Sequence, residues 1–328
     1  GSDAYDPFLP KPPPQCPTDQ PPWPIVPNYD QLLEGDALRS QHVDLESPYS
    51  PWPGVGEVVL ERGAGRGFEL CVLGIPLGAL PPLTERLWKP NMPSHDPRWT
   101  RMLDDIAITR TVSMQLWFDA PETELYDVPP DVDGTPGTGR GLLTSFVLPE
   151  PSMGDLTHVI EWEGWPAAQR PKFLAYHTGS LVAMNVHDLP PTSDTGYPAR
   201  VDQQWRAQAR QWLRDNHAAF YCKAPQTWSG FLAKLSVPSR GLGPDEDRFD
   251  VQGFNAGAPP SDHYVLSQPG GMPARMGQTE SGVRGLFLCG DWTRTDINCG
   301  CVEAATQSGM LCARGISGHP VYVWHPGF

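Results

Sequence analysis

The segment GLFLCGDWTRTDINCGCVEAATQSGMLCARG, residues 285–315, carries the strongest structural signal in the chain. Its apolar run 286–289 is long enough for one buried strand. The run ends at Gly290-Asp291, where the backbone can turn tightly and a carboxylate lies at the carboxyl end of the strand. Residues 292–298 are polar and predict a loop, and a helical pattern extends from Gly300 to about Gly315. The segment therefore predicts a strand, a tight turn, a loop and a helix.

The predicted helix can pack closely against a sheet because one of its faces has small side chains: Cys301, Ala305, Ser308, Gly309 and Cys312. The first N–H groups of a helix have no acceptor within the helix and lie at the positive end of its dipole. Together with the Asp291 carboxylate, which can accept hydrogen bonds from sugar-type hydroxyls, such a helix start can hold an anion or the polar part of a nucleotide. The alternative is an ordinary buried strand and helix joined by a surface loop.

Gly290-Asp291-Trp292-Thr293, followed by residues 298–305 (NCGCVEAA), resembles the C-terminal flavin-binding signature of the FAD-dependent amine oxidase and phytoene (carotenoid) desaturase superfamily. Residues 71–80 (CVLGIPLGAL) resemble the superfamily segment VVLAVP-x-x-AL, whose strand returns to the FAD domain. Residues 264–266 and 280–283 also fit the approach to the predicted strand. The resemblance implies FAD as the cofactor.

The resemblance also implies a fold class, α/β plus α+β. The α/β part is the C-terminal part of a GxGxxG-type FAD-binding domain, with a parallel sheet and helices. The α+β part is a substrate domain built on a mixed or antiparallel sheet. The domains expected along the chain are a Pro-rich extended segment and linker (1–56), FAD-domain return strands and helix (57–90), a substrate-binding domain (91–263), the C-terminal strand and helix of the FAD domain (264–318) and a tail (319–328).

The superfamily's activity implies that a hydride equivalent passes from a substrate C–H, of amine or polyene/isoprenoid type, to flavin N5. Asp291 would accept from a ribityl hydroxyl, with Thr293 and Asn298 as second contacts. The helix start would direct its N–H groups at the N1/C2=O2 end of the flavin, where the negative charge of the reduced ring accumulates. The predicted cofactor-binding residues are Gly290, Asp291, Trp292, Thr293, Asn298, Gly300, Cys301, Val302 and Glu303.

Two aromatic or charged residues of the loop have alternative interpretations. Trp292 either forms a wall beside the flavin ring or is an ordinary packed loop aromatic. Arg294 either meets a phosphate or a substrate carboxylate, or is a solvated surface cation. A cysteine at a helix start can have a lowered pKa, so Cys301 is either a reactive thiol or simply a small residue. No catalytic acid or base can be identified from the sequence.

A FAD domain of this type also needs a strand–turn–helix with G-x-G-x-x-G to hold the pyrophosphate, and the sequence contains no such motif. In the superfamily this motif lies near the amino terminus, so the chain resembles the C-terminal half of such an enzyme. We therefore expect a separate N-terminal FAD-binding half or chain, paired non-covalently as a heterodimer. The alternative function is a non-catalytic, flavoenzyme-like binding or scaffolding subunit.

Composition excludes several other classes. The formal net charge of −14 argues against nucleic acid or an anionic membrane as a partner, and no apolar run has the length of a membrane span. The seven cysteines form no C-x-x-C pair, which favours a reduced, cytoplasmic protein. The nine histidines have no metal-ligand spacing, so no metal site is expected.

Periodicity predicts elements outside the C-terminal segment. Residues 57–60 and 68–75 predict strands. The glycine-rich 61–67 between them predicts a hairpin turn, since a dinucleotide fingerprint would have to open a helix. Further strands are predicted at 108–119, 141–148 and 172–183, and helices at 28–35, 76–88, 95–106, 154–163 and 198–221. The apolar faces with the clearest periodicity are Val112, Met114, Leu116 and Phe118 on a strand, and Val201, Trp205, Ala209, Trp212 and Leu213 on a helix.

Overall fold

The computed structural model describes residues 5–6, 27–52, 56–63, 65, 67–128, 142–144, 147–163, 165–238 and 241–324. The chain divides into two compact units. Unit 1 comprises Gly1–Trp52, Val112–Gly179 and Ala199–Asn255, and unit 2 comprises Pro53–Thr111, Ser180–Pro198 and Ala256–Phe328. Most of the Pro-rich segment predicted for 1–56 lies outside the described residues.

The structure is a mixture of helices and strands. The helices are α1 (Gly35–Ser40), α2 (Leu80–Leu83), α3 (Glu85–Trp88), α4 (Pro97–Asp105), α5 (Tyr197–Phe220), α6 (Trp228–Leu232) and α7 (Val302–Ser317). The strands are β1 (Cys71–Leu73), β2 (Ile108–Phe118), β3 (Leu142–Thr144), β4 (Ser152–Asp155), β5 (Phe173–Met184), β6 (Gly253–Ala256), β7 (His263–Val265) and β8 (Leu286–Leu288). Short 3-10 turns occur at Tyr29–Gln31, Leu77–Ala79, Glu122–Glu124, Thr157–Trp162, Ala167–Gln169, Val186–Asp188, Pro260–Asp262 and Met272–Ala274.

Unit 2 contains the parallel sheet that the sequence predicts. Strands β1 and β8 pair in parallel, with Cys71 opposite Leu286 and Leu73 opposite Leu288. Helix α7 follows β8 after the loop 289–301. The apolar core of this unit includes Leu77, Leu80, Trp99, Met102, Leu103, Ile106, Val265, Leu288 and Trp292. The strand that precedes the Gly-Asp pair is therefore anchored at its carboxyl end, where Leu288 is buried.

The other sheet is antiparallel at each pairing with a described register. Its strand order is β3-β4-β5-β2-β6, and β7 pairs with the first residues of β2. In unit 1 the predicted stripe of α5 is buried as expected, and the predicted face of β2 is buried at Val112, Met114, Leu116 and Phe118. An antiparallel sheet with a long amphipathic helix agrees with the α+β part of the predicted fold class.

The two strands predicted around the glycine-rich turn do not form a hairpin. Within the described ranges, residues 57–60 pair with no strand, and Val58 is 84% exposed. A single parallel bridge joins Arg62 to Phe68, and only Cys71–Leu73 of the predicted 68–75 is a strand. The hairpin prediction was therefore wrong because β1 pairs with β8, far along the chain, and not with its sequence neighbour.

Three helix predictions also need correction. The predicted helix 76–88 is divided into a 3-10 turn, α2 and α3, because Thr84 leaves helical geometry with φ −121° and ψ 20°. The segment 154–163 is a strand end followed by a 3-10 turn, and 28–35 contains only a 3-10 turn before α1.

Among the described residues, no helix combines the length and the apolar character needed to cross a bilayer.

Candidate functional site

The site begins where β8 ends. The Cys289 N–H donates to Leu73 O at 3.0 Å and so extends the β1–β8 ladder by one residue. Gly290 then adopts φ +137°, a conformation that L side chains rarely adopt. A Cβ at this position would lie 2.6 Å from Nε1 of Trp292. Glycine is required here both for the backbone conformation and for the close approach of the indole.

Replacing Gly290 by alanine is expected to lower the free energy of unfolding by about 1–2 kcal/mol, because both the strained φ and the contact with Trp292 must be accommodated. Urea denaturation followed by tryptophan fluorescence measures this change. Gly309→Ala in α7 is the matched control, since its Cβ would meet Cys289 Sγ at an ordinary 3.9 Å. Alanine should leave stability unchanged there or raise it by up to about 1 kcal/mol. Equal effects of the two substitutions would contradict the interpretation.

The side chains of the two residues after Asp291 are buried. Trp292 is 1% exposed and its Nε1 donates to Ile75 O at 3.0 Å. Thr293 is fully buried, and its hydroxyl lies 2.7 Å from both Gly290 O and the Ser308 hydroxyl, and accepts from Gln278 Nε2 at 2.9 Å. Trp292 is thus a packed loop aromatic in the structure, and Thr293 attaches the end of β8 to α7.

Asn298 stabilises the loop that leads to α7. Its backbone is left-handed, with φ +49°. The Asn298 N–H donates to the Thr295 hydroxyl at 2.9 Å, and its side-chain carbonyl accepts from the Thr295 N–H at 3.0 Å. The Ser267 hydroxyl donates to the Asn298 carbonyl oxygen. Asn298 therefore has a structural role in the loop, and its amide oxygen is occupied by the backbone.

Helix α7 begins at Val302, with Cys301 as its N-cap and the Cys301 sulfur accepting from the Ala304 N–H at 3.4 Å. Burial raises the pKa of the Cys301 thiol, so the lowered pKa considered for a reactive cysteine is not found. A Cβ at Gly300 would lie 2.7 Å from the ring of Tyr264, so glycine lets that ring cover the helix start. Val302 is 78% exposed and Glu303 is exposed. The first N–H groups of α7 thus begin at the molecular surface of unit 2.

Asp291 is half-buried beside this helix start. Burial raises the pKa of its carboxyl, and the positive charge of Arg275 opposes that rise. The same carboxylate and Glu303 act on Tyr264, whose phenol pKa is raised first by burial and then by the charge of Asp291. The structure therefore brings together an acid at the end of a parallel strand, a half-exposed tyrosine and the start of α7.

Arg294 does not face this cluster. Its guanidinium forms an ion pair with Glu280, and the pKa of Glu280 is lowered first by the Gly277 N–H and also by Arg294. Two residues that the sequence analysis did not select, Tyr264 and Arg275, lie next to Asp291. Their position arises from folding of separate segments onto the 291–301 loop, and no local motif marks them.

The residues present fit one part of a flavin nucleotide. A half-buried carboxylate suits a polyol, and a helix start with a glycine before it suits an electron-rich ring edge. Among the described residues there is no glycine-rich strand-to-helix turn for a pyrophosphate and no group of three or more potential metal ligands. The cluster therefore offers an acceptor for a polyol and a helix start for an electron-rich ring edge, and the described residues offer no pyrophosphate site.

No protein-family model matches the chain, and no curated protein matches it.

Proposed function

We propose that the chain is the C-terminal portion of a flavin-dependent oxidoreductase that transfers a hydride from a substrate C–H, of amine or polyene/isoprenoid type, to N5 of FAD. The observation that carries this proposal is the position of the half-buried Asp291 beside the start of α7, directly after a strand of a parallel sheet. Ligands of open α/β sheets bind outside the carboxyl ends of the strands, which is where this carboxylate lies.

Each residue of the proposed site has a separate role in binding FAD. FAD, when bound, accepts the hydride. The Asp291 carboxylate accepts hydrogen bonds from ribityl hydroxyls and so orients the ring. The N–H groups at the start of α7, including that of Glu303, stabilise negative charge at the N1/C2=O2 edge. Gly300 lets the Tyr264 ring and the Val265 carbonyl pack against the chain just before the helix.

An open sheet edge supports the proposed partner. In the β1–β8 pair, Cys71 and Leu73 bond to β8, so the N–H and C=O of Val72 point to the other side. The outer edge of β8 is already covered, because the Leu288 N–H donates to Gln278 O at 2.9 Å. Val72 is 51% exposed and has no strand beyond it among the described residues. The free edge of this sheet is therefore the outer edge of β1.

A parallel sheet of two strands with a free edge is incomplete as a domain. Apolar side chains in the same unit are exposed around it: Val58, Val59, Leu60, Phe68, Leu70, Val72 and Ile75. We assign this edge to a parallel strand of an N-terminal FAD-binding half that also carries the glycine-rich pyrophosphate turn. All six described cysteines are free thiols, which supports a reducing, cytoplasmic setting for the pair.

The visible absorption spectrum of the purified chain after incubation with FAD and desalting tests the proposal. The chain is measured alone and with a candidate N-terminal half. Perturbed flavin bands retained only in the mixture are the expected result. Bands retained by the chain alone would contradict the need for the partner, and the absence of retained flavin in both samples would favour the non-catalytic binding or scaffolding subunit.

A further inference from the structure

Arg275 is an unusual residue for the interior of unit 2. It is 2% exposed, and its guanidinium donates no hydrogen bond to a carboxylate. Its Nη1 donates to Asp291 O and, at 3.5 Å, to Thr293 O. Its Nη2 donates to Leu266 O at 3.4 Å and to the Ser267 hydroxyl at 3.5 Å. The planar fork therefore contacts two separate backbone segments, one after β7 and one after β8.

A third segment is connected through Ser267. The Ser267 hydroxyl accepts from Arg275 and donates to the carbonyl oxygen of Asn298, two residues before Gly300 in the loop that leads to α7. The guanidinium thus fixes the Asp291 backbone relative to the start of the helix. A lysine could not bridge the two segments in the same way, because its single ammonium group cannot place donors where both Nη1 and Nη2 of the guanidinium lie.

The charge of Arg275 also needs an explanation. A buried cation is costly unless an anion compensates it. Burial lowers the pKa of Arg275, and the charge of Asp291 is the largest opposing influence, followed by Cys299. In the reverse direction, burial raises the pKa of Asp291 and Arg275 opposes it. The two groups are therefore counter-charges.

Asp291 has several other titratable neighbours in its surroundings, and none of them is a cation. Tyr264 is influenced by Asp291 together with Cys299, Cys301 and Glu303. Each of these groups is either neutral or negative. Within the described part of the chain, Arg275 is the positive charge that acts on Asp291. If it were removed, only the hydrogen bonds from the backbone of Asp291 and Trp292 would still favour the ionised carboxylate.

We propose that Arg275 is the positioning residue of the Asp291 site: its guanidinium holds the carbonyl groups of the loops after β7 and β8 and places a buried positive charge beside Asp291. The use of this carboxylate for a flavin rests on the proposed function. The contacts of Arg275 and its charge pairing with Asp291 do not depend on that function. An ionised carboxylate accepts hydrogen bonds from two ribityl hydroxyls more strongly than a protonated one.

The first test follows the Asp291 carboxyl directly, without flavin. In protein labelled with 13C at aspartate carboxyls, its NMR signal is assigned with Asp291→Asn and titrated with pH. Arg275→Gln should raise the titration midpoint, because the positive charge that opposes the effect of burial on the pKa of Asp291 is removed. Arg275→Lys should restore most of that shift. Arg314→Gln, an exposed arginine near the end of α7, makes the same change in net charge and should leave the midpoint unchanged.

The second test uses FAD together with the N-terminal half. In Arg275→Gln the loss of FAD affinity on acidification should move to higher pH by the same amount as the NMR midpoint. Arg275→Lys should keep the wild-type pH profile but bind FAD several-fold more weakly, because the fork is lost. If the wild type binds no FAD at any pH, the proposed function fails while the NMR titration still decides the role of Arg275.

A folded Arg275→Gln protein with an unshifted Asp291 midpoint would overturn the proposal. If that variant does not fold, Asp291→Asn provides the reciprocal measurement, since it leaves Arg275 buried without its counter-charge. Its unfolding equilibrium constant should rise at least about tenfold. An unchanged constant would overturn the proposal.

Discussion

Replacing Glu150 by glutamine is expected to stabilise the folded protein above pH 8, and the gain should vanish as the pH falls to 4.5. Glu150 is 0% exposed, and neither of its carboxylate oxygens has a hydrogen-bond partner among the residues that the structure describes. Burial raises the pKa of its carboxyl from 4.5 to about 8. Since one pKa unit corresponds to about 1.4 kcal/mol, ionisation costs the wild type roughly 5 kcal/mol of stability at high pH.

The sign of this effect follows from the two pKa values. Below pH 4.5 the carboxyl is protonated in both the folded and the unfolded chain, so Glu150 has no electrostatic cost. As the pH rises from 4.5 to about 8, the unfolded chain loses the proton while the folded chain retains it. Unfolding then releases a proton, and the free energy of unfolding falls steadily until the folded pKa is passed. Glutamine does not titrate, so the variant lacks this loss.

His177 is buried against the rings of Trp212, Phe220 and Tyr221, and its contribution to stability has the opposite pH dependence. Its Nε2 lies 2.6 Å from the Tyr221 hydroxyl, and burial lowers the pKa of the imidazole from 6.5 to about 3. Stability from neutral His177 is present above pH 6.5 and is lost as the pH falls, because only the unfolded chain then takes up the proton. Between pH 4.5 and 6.5 the two residues therefore change the free energy of unfolding in opposite directions. Between pH 6.5 and 8 only Glu150 changes it.

Urea denaturation of the wild type and the variant between pH 6.5 and 8 measures the Glu150 contribution. The exposed Glu161 provides the control, and the free energy of unfolding of Glu161→Gln should depend on pH as that of the wild type does. Glu150→Met removes both the titration and the unpartnered oxygens, so it should be stabilising at every pH. Parallel curves for wild type and Glu150→Gln would contradict the burial of the carboxyl.

The elements that the sequence predicts well are those with a local pattern. The stripe of α5, the alternation in β2, and the strand, turn and helix 286–317 depend on residues within a few positions of each other. Helix α7 begins two residues after the predicted start because Cys301 acts as its cap. Gly290 and Asp291 are in the predicted positions relative to the strand, since a glycine can adopt the φ required by the turn.

The features that the sequence analysis missed are non-local. Residues 57–60 have strand-like composition, but β1 pairs with a segment more than two hundred positions away and leaves them without a partner. Glu150 is flanked by two prolines and has no local sign of burial. Arg275 contacts the loops after β7 and β8 only in the folded chain. Local patterns therefore predicted the strand, turn and helix around Asp291, and tertiary contacts determine which charged groups lie next to it.

Asp291→Ala is expected to weaken FAD binding by the complex with the N-terminal half about 10- to 100-fold. Hydrogen bonds to an ionised group contribute about 1.5–3 kcal/mol each, and the carboxylate is the only part of the side chain that could accept from the ribityl hydroxyls. The measurement is a fluorescence titration of FAD, with circular dichroism at each point to confirm that the variant is folded. Asp296→Ala is the control because Asp296 lies in the same loop, is exposed, and accepts from Gln307 Nε2 at 3.1 Å.

The comparison of these two variants decides between the two classes of function. Both remove one negative charge from the same loop, so a general electrostatic effect on an anionic nucleotide would strengthen binding in both. Only Asp291 lies half-buried beside the start of α7, so a specific loss in a folded Asp291→Ala protein supports contact between this carboxylate and the flavin's polyol. If Asp291→Ala binds FAD as the wild type does, the carboxylate does not contact the cofactor, and the oxidoreductase proposal loses its main support.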